Sequence, residues 1–551
     1  MSGGRILLRG GEIFDGLGGE PRRADLLLHG SRIARAAPDI VEGDAAVLDV
    51  TGLAVAPGFI DLHAHSDLIA AQPPEVRRRL QRGKLLQGIT TELAGNCGLA
   101  PVPLTAESRG PIGAVLAWMT PPGSRLRWDG FADYLARIEE TAPLPLNTGF
   151  LAAHGPIRAA VLGMGRARPD AAARAHLASL VEAALDAGAF GLSCGLIYPP
   201  GLYADTDELV ACAAPVARRR ALFTSHVRGS SETLLPAVDE ILEIGRRTGA
   251  RVHHSHSEAV GPAHWSKIGA VLEREEDART RGTEVTFDLF PYHAAATSML
   301  AIYPPWSLEG GPAALLARLR DPGKRERIRS AVASQAPVWP PWEDGGWPHN
   351  LVLACGWERI FIARTGGRTG GRYDGLSLAA LGEARGRAPF DAVSDLVLEE
   401  EGEVGQLLFG ITGEEEREAP MDALLRDPHG AIATDACDYG TGLPHPAAYG
   451  AFPRILARFV RERGVLSLSE ALRRMTSLPA GIAGLGDRGA LRAGAAADVV
   501  VFDPRAVRDL ADYRDPRREA EGIRHVLVNG VLAVRDGAMT GADGGAVLRR
   551  A

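Results

Sequence analysis

Eight short apolar runs recur through the middle of this 551-residue chain, and they restrict its fold more than any other feature. They are Phe59–His65, Thr90–Cys97, Thr148–His154, Ala189–Leu196, Ala221–His226, Arg251–His256, Glu284–Phe290 and Ala431–Asp435. Ala171–Ala187 and Thr233–Arg247, between them, place apolar residues at helical spacing. Strands alternating with helices build parallel βαβ units. Eight such units predict an α/β protein of the closed (β/α)8, TIM-like type. The two ends differ in pattern. Ile6-Leu7-Leu8, Leu26-Leu27-Leu28 and Arg32-Ile33-Ala34 near the start read as short strands between Gly-rich turns, as do Ala497–Phe502 and His525–Val531 near the end. A small β-sandwich domain built from residues 1–55 and 485–551 is therefore expected beside a barrel over 56–484. After the seventh strand the chain is long, irregular and rich in Pro and Trp, as in Pro304-Pro305-Trp306 and Trp339-Pro340-Pro341-Trp342. A lid insertion over about 291–350, covering the barrel mouth, is expected there.

Charge and cysteine usage narrow the function classes. The 61 basic and 68 acidic side chains give a net charge of −7. That balance argues against a nucleic-acid or anionic-membrane surface. No apolar run is long enough to span a bilayer. The start, Met1 to Arg9, lacks the apolar core of a signal peptide, so a cytoplasmic protein is expected. Cys97, Cys194, Cys212, Cys355 and Cys437 are scattered and odd in number, which fits a reducing compartment. The only lysines are Lys84, Lys267 and Lys324.

The active site of such a barrel lies at the C-terminal ends of its strands. His63 and His65 end the first run, two residues apart and so on one face of a strand. Cys97 ends the second, His226 the fifth, His256 the sixth and Asp435 the eighth. Four imidazoles, a thiol and a carboxylate on one rim suit zinc or a related transition metal. In the sixth run, alternation puts His254 and His256 on one face and sends His253 toward the helices. His154, at the end of the third run, faces the rim as a candidate substrate-facing residue or support to the ligands.

Pro57–Asp67, Gly95-Asn96-Cys97-Gly98, Gly191–Gly201, Ser255-His256, Phe290-Pro291-Tyr292 and Gly450–Arg454 carry a resemblance. Together they resemble the N-acyl-D-amino-acid deacylase branch of the metal-dependent amidohydrolase superfamily, nearly end to end. The resemblance implies a barrel with a composite β domain and a lid. It implies a tight zinc site on Cys97, His226 and His256, a second and weaker site on His63 and His65 with Cys97 able to bridge, and Asp435 as catalytic acid and base. The implied reaction is hydrolysis of a small-molecule or peptide-like amide of the N-acyl amino acid type. The alternative is a cyclic amide or imide hydrolase, or a deaminase, on the same scaffold. Many amidohydrolases bridge two metals with a carboxylated lysine on the fourth strand. No lysine lies near Ala189–Leu196, so that bridge is excluded and Cys97 is the available bridging anion. The oligomeric state is not legible.

The chain departs from the branch at the substrate's α-carboxylate. The family binds it with a lysine two residues after the sixth-strand His and an arginine in the loop after the catalytic Asp, assisted by a tyrosine and a serine after strand seven. Tyr292 and Ser298 match the latter pair, but the lysine position is Glu258 and the arginine position falls on Ala447. Either Arg228 or Arg454 replaces those cations, or the substrate's flanking group is neutral, cationic or larger than a free carboxylate, as in a natural-product or peptide precursor.

Overall fold

Every one of the eight runs overlaps a strand in the computed structural model, which describes residues 4–340, 342 and 345–550. The strands are Phe59–Asp61, Ile89–Ala94, Asn147–Phe150 continuing as Ala152–Ala153, Gly191–Gly195, Leu222–His226, Arg251–His254, Val285–Leu289 and Gly430–Ile432. Neighbours pair in parallel and in chain order. The third strand bridges two ladders, with Asn147 opposite Thr91 and Ala152 opposite Leu192. The ring closes where the Asp435 N–H donates to the His63 carbonyl at 3.0 Å. Ile60, Leu62, Leu93, Leu151, Phe190, Leu222 and Ala431 fill the barrel interior, joined by Ile482 and Ala483 of the helix Ser477–Ala483. Burial of each large side chain contributes about 1.5–3 kcal/mol. Apolar residues thus occupy the base, and polar residues are left for the opposite rim.

The helices obey local signals. Ala171–Asp186 starts where the Asp170 carboxylate accepts the Ala173 N–H at 2.8 Å. Leu234–Thr248 stops at Gly249, whose φ of 75° suits glycine.

Both ends of the chain enter one nine-stranded sheet. Val499–Phe502 from the C-terminal side pairs antiparallel with Ala54–Pro57, with Val500 opposite Ala56. Leu8, Leu26, Leu28, Val55, Val499, Val501 and Leu527 give this sheet its own apolar core. Ala54–Pro57 runs directly into the first barrel strand, and Gly58 N–H donates to the Asp498 carbonyl at 2.8 Å. The sheet therefore anchors the strand that leads to His63.

The insertion between the seventh and eighth strands is longer and more regular than the expected 291–350. It extends to His429 and, among the described residues, holds four helices of eight or more residues before Gly405. It also holds a three-stranded antiparallel sheet, with Gly405–Phe409 between Ala294–Ser298 and Ile360–Arg364. Pro and Trp cluster near 304–306 and over 337–348; elsewhere ordinary caps act, as where Ser377 accepts the Ala380 N–H at 3.1 Å. Pro341 and the first three residues lie outside the described residues. No helix among the described residues is long and apolar enough to cross a membrane.

Candidate metal centre

Cys97, His256 and Asp435 lie just past the hydrogen-bonded ends of their strands, and all three adopt left-handed backbone, with φ of 54°, 36° and 46°. Non-glycine residues rarely do so, and such residues gather at functional sites. The Cys97 turn is held from three sides. Asn96 donates to the carbonyls of Leu93 at 2.8 Å and Leu62 at 3.1 Å, stapling the first strand to the second. The Ser193 hydroxyl donates to the Gly95 carbonyl and accepts the Gly98 N–H at 3.1 Å. A Cβ at Gly195 would stand 1.7 Å from the Cys97 carbonyl, so only glycine admits the turn there.

These turns bring the predicted residues together. His63 Nε2 is 3.2 Å from Cys97 Sγ, and Cys97 Sγ is 3.5 Å from His256 Nε2. Asp435 Oδ1 lies 3.3 Å from His63 Nε2 and 3.2 Å from His65 Nε2. The His226 ring meets the His256 ring edge-on at 4.4 Å. Two trios could each hold an ion, His63–Cys97–His256 and His63–His65–Asp435, and they share His63. The structure thus groups Cys97 with His63 as closely as with His256, with His226 at their flank. The Nδ1 atoms of His65, His226 and His256 are buried without a hydrogen-bond partner.

Burial alone would push the Cys97 thiol up, but His63 and His256 hold it well below the usual thiol range. Asp435 is held low against its burial, first by His63 and then by His65. Despite burial, His65 is raised to about 9, chiefly by its bond to Asp435, and His256 to about 10 by the Cys97 charge. Burial and the neighbouring His256 push His226 down to about 4. An anionic thiol and carboxylate among imidazoles that attract protons form a set in which a divalent metal can take the protons' place. Nitrogen and sulfur donors fit zinc.

One residue essential to this geometry escaped the sequence reading. Asp288, on the seventh strand, lies 3.1 Å from His63 Nδ1 and 2.8 Å from His253 Nε2, and accepts the His256 N–H at 2.6 Å. It orients one candidate ligand and the backbone of another. Its signal was an acid inside the apolar run Val285–Leu289, since charges are almost never fully buried unpaired. The assignments of its neighbours reverse. His253 faces Asp288, whereas His254 points to the helix Lys267–Thr280 and bonds Glu275 at 2.8 Å. Alternation failed because the strand ends at His254, and the left-handed turn at His256 swings that ring back to the mouth.

The structure places three of the predicted substrate contacts away from the cavity beside the ligands. His154 opens the helix His154–Leu162 and bonds Glu208 at 2.9 Å, in a buried cluster with Arg158. The Tyr292 ring packs on His445 and under Arg454, with its hydroxyl buried beside Gly450. The Ser298 hydroxyl oxygen accepts the Leu300 N–H at 3.2 Å. None of the three lines the cavity beside the ligands. Ala447 is likewise buried, at the start of the helix Ala447–Arg454.

Glu258 does line that cavity, with Oε1 3.8 Å from His256 Nδ1. Burial pushes its carboxyl up to about 7. Neither candidate arginine reaches it. Arg228 pairs with Glu240 at 2.6 Å, and Arg454 with Asp509 at 3.1 Å. The lysines are elsewhere too: Lys84 on Asp61 and Thr434, Lys267 on the carbonyls of Ser231 and Glu232, Lys324 beside Asp321. The cavity has two lobes that share His65, Trp118, Ala296 and Asp435. The inner lobe holds Cys97, His226, His256, Tyr198 and Glu258, with His349 from the insertion. The outer lobe is lined by Ala363, Arg364, Leu443 and Pro444.

The sequence matches the Amidohydrolase family over residues 46–323 and 369–534. It is 34% identical to an N-acyl-D-glutamate deacylase of Alcaligenes xylosoxydans xylosoxydans, over 99% of this chain and 96% of that one. The crystal structure of an N-acyl-D-glutamate deacylase from Bordetella bronchiseptica, complexed with zinc and a phosphonate mimic of the tetrahedral intermediate, superposes with a TM-score of 0.79. It is 31% identical and covers 100% of both chains. A D-aminoacylase structure described for its binuclear metal centre gives a TM-score of 0.80 at 28% identity, over 99% of both chains.

Proposed function

The chain belongs to the amidohydrolase family and is a zinc-dependent hydrolase of linear amide bonds of the N-acyl amino acid type; we propose that Asp435 moves the proton in that reaction, and that His63, His65, Cys97, His226 and His256 hold the metal. The observation that carries this reading is the position of Asp435 Oδ1, within 3.3 Å of both His63 Nε2 and His65 Nε2 at the open end of the barrel. Zinc bound there supplies Lewis acidity and lowers the pKa of a water from ~15.7 to about 7.

The chain's own groups do the rest. Asp435 accepts a proton from the attacking water at Oδ1 and returns it to the leaving nitrogen. Its left-handed backbone and its N–H bond to the His63 carbonyl fix the carboxylate over the mouth. Asp288 accepts from His63 Nδ1, which leaves Nε2 with its lone pair toward the site. Tyr198 walls the inner lobe, its ring against His226 and its hydroxyl 2.7 Å from Thr297 Oγ1. Trp118 and the sheet of the insertion cover the mouth and limit water around the scissile bond.

The test is Asp435→Asn, which keeps the shape and removes the proton acceptor. Turnover of N-acyl amino acids is expected to fall by about 10²–10⁴, with zinc content unchanged by elemental analysis. Activity near wild type in metal-replete Asp435→Asn would remove Asp435 from this role.

A further inference from the structure

We propose that Thr434, locked in place by the buried pair Asp61 and Lys84, is a positioning residue for Asp435. The proposal rests on the reading of Asp435 as the proton carrier, and adds what keeps that carboxylate where it can act.

Asp435 needs support from outside its strand. That strand ends at Ile432, and the Asp435 backbone is left-handed, with φ of 46°. A non-glycine residue keeps such a conformation only where its surroundings over-determine it. Pairing with the seventh strand gives out at Ala433, whose N–H donates to the Leu289 carbonyl at 2.9 Å. The next three N–H groups turn elsewhere. Thr434 N–H donates to Asp61 Oδ1 at 3.0 Å, Asp435 N–H to the His63 carbonyl at 3.0 Å, and Ala436 N–H to Thr434 Oγ1 at 3.3 Å. The turn at Asp435 is thus handed over to the first strand. Two of the three bonds that hold it end on the side chains of Asp61 and Thr434.

The Thr434 hydroxyl is the hub of this cluster. It donates to Asp61 Oδ2 at 2.7 Å, a closer acceptor than the Ala436 carbonyl at 3.2 Å. It accepts from Lys84 Nζ at 2.8 Å and from the Ala436 N–H. A hydroxyl has one proton and two lone pairs, so its whole capacity is used. Asp61 is as fully engaged. Its Oδ2 also takes Lys84 Nζ at 2.5 Å, and its Oδ1 also takes the His63 N–H at 3.3 Å. Lys84 reaches in from the helix Pro74–Leu86. All three residues are at most 3% exposed, and none lines either lobe of the cavity. They can act on the substrate only through the groups they hold, and the Thr434 hydroxyl holds the chain on both sides of Asp435.

The test is Thr434→Val in metal-replete enzyme, which keeps the side-chain shape and removes the hydroxyl. The substrate is the N-acyl amino acid that the wild-type enzyme turns over fastest. We expect kcat to fall by about 10–100-fold, the scale of a small misplacement in a reacting group. KM should stay within about twofold, since no substrate contact is lost. Zinc content should equal wild type, and Thr434→Ser, which restores the hydroxyl, should recover most of the lost kcat. In an Asp435→Asn background, Thr434→Val should cost nothing further, because residues that act as one unit are not additive. If the valine variant does not fold, Thr434→Ala removes the same hydroxyl with no added bulk and is held to the same outcomes. Wild-type kcat, failure of the serine to recover it, or an equal further fall in the Asp435→Asn background overturns the proposal. Loss of zinc also overturns it, and would place the hydroxyl's effect on His63. Asp435→Asn as active as wild type removes the proton-carrier reading itself. An inactive Asp435→Asn beside a fully active Thr434→Val removes only the positioning role.

Discussion

The five candidate ligands depend on groups that are not ligands, and Asp288 shows this most clearly. Its carboxylate touches His63, His253 and the His256 N–H at once, so it sets one ring's tautomer and one strand end's path. Burial would raise its pKa, yet the charge of His63 and the bond from His253 hold it well below the usual carboxylate range. Asp288→Asn keeps the volume but removes the charge and one acceptor. Zinc affinity is expected to fall by about 10–100-fold, as when other supporting partners of metal ligands are removed. Competition with a chromogenic chelator measures it, and an affinity within about twofold of wild type counts against the assignment. The sequence told which side chains are ligand-competent, because imidazole and thiol chemistry is intrinsic to the residue. It did not reveal Asp288, whose meaning comes from three partners on two other strands.

At the scale of elements, the turns at the strand ends decide the geometry. The motif Gly95-Asn96-Cys97-Gly98 places Cys97 only because the fourth strand comes flush against it. Gly195→Ala would force its Cβ into the Cys97 carbonyl. We expect a loss of about 1–3 kcal/mol of stability together with a fall in bound zinc. Gly110→Ala is the control: nothing lies within 4 Å of the point where its Cβ would stand, so both measurements should stay at wild type. Bound zinc at wild-type level in Gly195→Ala would show that the turn tolerates displacement. Strand existence was legible from apolar runs, since burial on both faces demands them. Where each strand ends within its run was not: the fifth is strand to His226 itself, whereas the first stops at Asp61 and the sixth at His254. Alternation holds only while the ladder continues, and here it stops before His63, His256 and Asp435. His254 and His253 exchanged faces for that reason.

At the scale of the molecule, the barrel is tied to both ends of the chain. Leu144 and Gly545 exchange backbone bonds of 2.9 and 2.7 Å, Thr148 N–H donates to the Ala546 carbonyl at 2.9 Å, and Arg550 N–H reaches the Gly188 carbonyl at 3.0 Å. Asn529 donates to Asn147 Oδ1 at 2.7 Å and to the Gly544 carbonyl at 2.8 Å. This tail lies along the third barrel strand, away from the metal-binding rim. Each bond contributes about 0.5–1.5 kcal/mol net. Ending the chain at Thr540 should therefore lower Tm by roughly 5 °C or more, while the zinc content of the folded fraction stays at wild type. Loss of zinc at unchanged Tm would place the tail's influence at the site instead.

The sequence by itself determined the barrel, the two-ended β domain and the candidate ligands. Periodicity and ligand chemistry are local properties, readable wherever the residues stand. Tertiary structure alone decided which groups meet. It sent His154 to Glu208, Tyr292 to His445 and Ser298 to its own helix cap, and it kept Glu258 facing the metal site with no lysine or arginine in that lobe among the described residues. It also brought His349 from 123 residues beyond His226 into the same lobe. No pattern in the insertion marks that histidine, because its place is set by a non-local contact with Ser230 and Ser231.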